Sequence, residues 1–71
     1  MNFTACYLEG TLEPLVLNEP LHATAMNMSA AANNNMRFFR AHDTDGRELF
    51  VSIPNIIFMR DESDEHDAST D

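Results

Sequence analysis

Seventy-one residues, 44% of them hydrophobic, with a formal net charge of −8, one cysteine and two glycines, leave room for a single small domain with a thin stability margin. A lone Cys6 excludes an intrachain disulfide and any structural zinc site built on two or more cysteines, and Gly10 and Gly46 alone are too few for a glycine-rich phosphate loop. The charge is unevenly placed: residues 61–71 hold six acids and no base, whereas residues 1–60 hold six acids and four arginines.

Residues 3–8 are aromatic and small apolar types with a threonine, and Leu15, Val16 and Leu17 follow a turn at Glu9 and Gly10. This pattern predicts a first β-hairpin, with glycine supplying the positive φ of the connection and Pro14 marking the second strand as an edge or bulged one. The first ten residues lack the basic start and continuous apolar stretch of a signal peptide. No window reaches a membrane-spanning length. A soluble, cytoplasmic protein is therefore expected, in keeping with a single free thiol.

Asn18, Glu19 and Pro20 form a helix-start signature, and a helix is expected from Pro20 to Asn33. Leu21, Ala25, Met28 and Ala32 fall on one stripe at spacings of four, three and four, and three successive asparagines, Asn33 to Asn35, close it. From Met36 to His42 the residues alternate, with Phe38 and Arg40 on one side and Arg37, Phe39 and Ala41 on the other. The turn Asp43 to Gly46 then returns the chain through Arg47 to Ile53, which places Leu49, Val51 and Ile53 opposite Glu48, Phe50 and Ser52. Pro54 and Asn55 interrupt the ladder, and Ile56 to Met59 makes a short last strand. Beyond Arg60 apolar periodicity ends, so the expected organisation is one domain over residues 1–60 and a disordered acidic tail over residues 61–71.

The expected fold is α+β: two hairpins and one helix in the order β-β-α-β-β, with a further short strand, forming a small antiparallel sheet. The alternative is a small SH3-like β-barrel with an inserted helix. One helix cannot cover both faces of such a sheet, and both faces hold large apolar residues. Phe39, Phe50, Ile57 and Met59 are thus expected to form an interface with a second copy of the chain.

Other constellations are weaker. His42, Asp43 and Asp45 resemble a calcium loop, but the twelfth position counted from Asp43 is Pro54 where a bidentate glutamate is required, so turn chemistry explains them and no metal or other cofactor is expected. Arg37-Phe38-Phe39-Arg40 combines arginine and aromatic side chains in the manner of single-stranded nucleic-acid binders, but a net negative domain lacks the basic field that gives those proteins affinity. His22, His42 and His66 are not placed to activate Cys6, Ser29 or Ser52, so catalysis is not expected. The functional expectation is a small non-enzymatic protein that associates with itself and with a larger protein partner. Its size and charge are common among phage and mobile-element products. The alternative is an acidic nucleic-acid mimic presenting Asp43, Asp45, Glu48, Asp61, Glu62, Asp64 and Glu65 to a DNA- or RNA-binding protein.

Overall fold

A computed structural model describes residues 2–63. Five strands and one α-helix follow in the expected order: β1 (Asn2–Leu8), β2 (Leu15–Leu17), α1 (Leu21–Asn33), β3 (Phe38–His42), β4 (Glu48–Ser52) and β5 (Ile56–Ser63), with a short 3₁₀ turn at Ile53–Asn55 before β5. β1 pairs antiparallel with both β2 and β5, and β3 pairs antiparallel with β4. A bridge between Leu17 and Asp43, with the Asn18 N–H donating to the His42 carbonyl at 2.9 Å, ties β2 to β3. The strands therefore follow one another as β5-β1-β2-β3-β4. The 3₁₀ turn curls this row: Ile53 N–H donates to the Arg37 carbonyl of one sheet, and the Asn55 carbonyl accepts from Glu9 at the end of the other, both at 2.8 Å.

One core lies inside the curl. Cys6 and Leu17 from the first sheet meet Phe39, Ala41 and Val51 from the second and Ala31 from α1, with Leu8, Leu15, Met28, Leu49, Ile53, Ile56 and Met59 packed around them. Alternation along β3 and β4 is as the sequence implies, because each strand turns every second residue inward.

The helix presents a different stripe from the one its sequence suggests. Its buried residues are Thr24 and Ala31, while Ala32 is exposed. Thr24 lies beside Thr4 of β1, their hydroxyl oxygens 3.2 Å apart. Thr4 donates to the Glu19 carbonyl at 2.8 Å, and Thr24 shares its proton between Thr4 and the Pro20 carbonyl, 3.2 Å away. A fully bonded hydroxyl costs little to bury, and small side chains let the helix approach the strands closely. Asn18 does not cap the helix: Pro20 holds the N-cap position with no side-chain bond, and the threonine pair anchors the helix start.

The C-terminus closes as expected. Asn35 adopts φ 62°, its N–H donates to the Ala32 carbonyl at 3.0 Å, and the Met36 N–H reaches the Ala31 carbonyl at 2.9 Å. This is the paired bonding of a left-handed helix stop. Asparagine tolerates that conformation and alanine does not, so Asn35→Ala should lower stability by about 1 kcal/mol in urea unfolding.

Two boundaries change. The first connection is longer than a tight hairpin, spanning residues 9–14 with Gly10 at φ 88°. β5 also continues past Arg60, with Asp61, Glu62 and Ser63 paired to Thr4, Phe3 and Asn2. The expected domain end at residue 60 therefore falls inside a strand, because backbone pairing with β1 is indifferent to the side chains that ended the apolar pattern. The rest of the expected tail, with Asp64, Glu65 and His66, lies outside the described residues.

Candidate interaction surface

The four residues expected at an interface separate into two pairs. Phe39 is 2% exposed and Met59 packs against the core, whereas Phe50 is 64% and Ile57 63% exposed. Phe39 turns inward with Ala41 and Val51 because these share its parity across the β3–β4 register. Met59 is turned by a β-bulge. The β1–β5 register shifts between Tyr7 and Leu8, so that Phe58 opposes Tyr7, Ile56 opposes Leu8 and Ile57 is the extra residue. One inserted residue inverts the alternation beyond it, which sends Met59 inward and Phe58 outward.

Apart from Leu12 in the first connection and Met26 on α1, which are also exposed, two aromatic patches stand on the outer faces of the sheets. On the outer face of β3–β4, Phe38, 51% exposed, and Phe50 lie on adjacent strands. They border a groove of about 380 Å³ that Met36, Asn27, Ala30 and Asn34 complete from the helix side. Asn27 holds this side in place by donating from Nδ2 to the Arg40 carbonyl at 2.7 Å. On the outer face of the other sheet, Phe58, 50% exposed, stacks on Tyr7 with ring centroids 4.4 Å apart. Arg60 lies 5.8 Å over the Tyr7 ring, with Nη2 3.3 Å from the Tyr7 hydroxyl.

The acids of the turn are largely engaged with arginines. Asp43 Oδ1 accepts from the backbone N–H groups of Asp45 and Arg47, both at 2.9 Å, and Arg47 Nε stands 3.3 Å from Oδ2. The Arg47 amide above all, then the Asp45 amide and the Arg47 charge, hold the Asp43 carboxyl below its usual range. Its contribution to stability is present above that range and is lost as the pH falls through the lowered native value. Asp45 pairs with Arg47 at 3.0 Å and Glu48 with Arg40 at 3.3 Å. Asp61 and Glu62 are exposed on β5. Among the described residues no group of three or more His, Cys, Asp and Glu side chains is placed to hold a metal ion, and no helix is long and apolar enough to cross a membrane.

The Arg37-Phe38-Phe39-Arg40 run does not assemble a basic stacking platform. Phe39 points into the core, and Arg40 is engaged by Glu48. Sequence reasoning missed Thr4 and Thr24, two polar residues inside apolar patterns. The signal for them is that each stands where a strand or helix would otherwise place a hydrophobic side chain.

Cys6 is buried, and burial pushes its thiol above the ordinary value. Burial favours the neutral thiol, so this contribution holds below the ordinary thiol range and is lost only as the pH rises through the raised native value. Native protein at neutral pH should leave a thiol reagent such as Ellman's unreacted, and denaturant should release one thiol per chain. Fast labelling of folded protein would place Cys6 at the surface.

The chain matches no family model, no curated protein and no solved structure.

Proposed function

We propose that this protein acts by contact and not by chemistry, associating with a second copy of itself and, in that state, with a larger protein partner. One observation carries the reading: Phe38, Phe50, Ile57 and Phe58 are each half or more exposed on the outward faces of one small domain. Lone exposed apolar residues are ordinary, but aromatic pairs on adjacent strands beside a groove are what association surfaces present. The modest core supports the same reading. The largest fully buried side chains are Leu17, Thr4, Thr24 and Cys6, two of them polar, so further burial between subunits adds materially to a domain of this size. The buried, protonated thiol agrees with a non-enzymatic role, and we assign the protein to a reducing compartment such as the cytoplasm on the strength of that single free cysteine. Arg40 and Arg47, engaged with Glu48, Asp43 and Asp45, leave little uncompensated negative charge at the turn for nucleic-acid mimicry.

Light scattering over a dilution series tests this reading. The expected mass rises towards twice the 8.0 kDa of one chain as concentration increases, and Phe50→Asp should remove the rise while leaving the unfolding midpoint nearly unchanged at dilutions where the parent chain is monomeric. A single-chain mass at every concentration would overturn the proposal. The larger partner is sought afterwards with chains cut after Ser63. A cut after Arg60 would also remove residues paired with β1.

A further inference from the structure

We infer that the contact between copies is an antiparallel pairing of β4 with β4 of the second copy, centred on Phe50. This rests on the self-association reading above and specifies the surface and register that perform it.

The phase of the β3–β4 ladder carries the inference. The Asp43 N–H donates to the Arg47 carbonyl and the Ile53 N–H to the Arg37 carbonyl. The odd-numbered residues of β4 thus spend their backbone groups on β3. On β3 the even residues point the other way, the His42 carbonyl accepting from Asn18 and the Arg40 carbonyl from Asn27. By the same alternation, Glu48 and Phe50 direct their N–H and C=O groups away from β3, and Ser52 its N–H, while the Ser52 carbonyl is the acceptor that opens the 3₁₀ turn; among the described residues β4 has no second strand neighbour. A regular edge of this kind is a template for another strand.

The opposite end of the row is protected. β5 carries the bulge at Ile57 and the charged run Arg60, Asp61 and Glu62, features that discourage edge pairing. β4 has neither a bulge nor a proline, and Phe50 stands at its middle.

Only one symmetric register suits this edge. Centred on Glu48, pairing would set like charges directly opposite each other. On Leu49, it would oppose Phe50 to Glu48. On Val51 or Ser52, it would bring Glu48 or Phe50 respectively against Pro54, which has no N–H to give. Centred on Phe50, the ring meets Phe50 of the second copy, Glu48 faces Ser52 on both sides, the two Phe50 residues exchange both backbone bonds, and each Ser52 N–H reaches the Glu48 carbonyl opposite. A second copy is favoured over residues 64–71 as occupant of this edge, since that segment carries four acids and no base and would face Glu48. One short strand per copy makes a small interface, so a weak dimer is expected, with a dissociation constant of roughly micromolar or above.

Amide hydrogen exchange on the full chain at low and high concentration tests the pairing. Protection of the Phe50 and Ser52 amides should rise about tenfold with dimer formation, while Leu49 and Val51 stay protected throughout. Ser52→Lys should tighten the dimer roughly three- to tenfold at low salt, and Ser52→Glu should loosen it by a similar factor, because each change acts at two symmetric contacts with Glu48. If either variant fails to fold, the exchange measurement on the unaltered chain decides alone. A dimer whose Phe50 and Ser52 amides remain open overturns this inference and leaves self-association standing. Masses climbing beyond two chains would point to head-to-tail pairing of β4 with β5 and overturn it too, and a chain monomeric at every concentration overturns both.

Discussion

Phe39→Ala is expected to leave most of the population unfolded at room temperature. The ring is 2% exposed and lies where the second sheet faces Cys6, Leu17 and Ala31. Truncating a buried phenylalanine costs about 3–5 kcal/mol in lost transfer energy and residual cavity. A core this small supplies a net stability of roughly the same size. Urea unfolding would show the midpoint collapsing towards zero with the slope unchanged where it can still be measured. The control is one residue away: Phe38→Ala, at an outward position, should cost no more than about 1 kcal/mol. Equal losses at the two positions would refute the inward and outward assignment of β3.

Leu17→Ala should be nearly as damaging, at about 2–5 kcal/mol, for a reason specific to its place in the row. Leu17 is fully buried, pairs with Thr4 on one side and forms the bridge to Asp43 on the other. Its side chain fills the core at the point where β2 and β3 join the two sheets. The two sheets should therefore fail together, with the amides of Cys6 and Val51 losing protection at one denaturant concentration in this variant as in the parent protein. Separate transitions for the two amides would show that each sheet holds its own core.

Much of the architecture was legible before any coordinates. Period-two alternation located β3 and β4 and, within each strand, grouped the residues that share a face, because side-chain alternation in a strand follows from the backbone alone. The run of asparagines located the helix end for an equally local reason, the tolerance of one residue type for positive φ. The helix stripe was not legible, since Thr24 is buried only through its bonds to Thr4 and Pro20, partners remote in the chain or set by the helix start. Of the four residues expected at an interface, Phe50 is exposed through its parity in β4 and Ile57 through its place at the bulge. Phe39 and Met59 were misplaced because their burial depends on which face the curl encloses and on a bulge that has no signature among Ile56, Ile57, Phe58 and Met59.

The chain on its own therefore determined the elements that depend on neighbours a few residues apart: the strands, the turn at Asp43 to Gly46, the helix and its stop. Tertiary structure alone decided which apolar face lies inside, that β5 continues past Arg60, and which of its side chains the inserted Ile57 turns outward. Those outcomes depend on pairing between β1 and β5, more than fifty residues apart for Tyr7 and Phe58, where the free energy of closing the core outweighs any local preference for which way a side chain points.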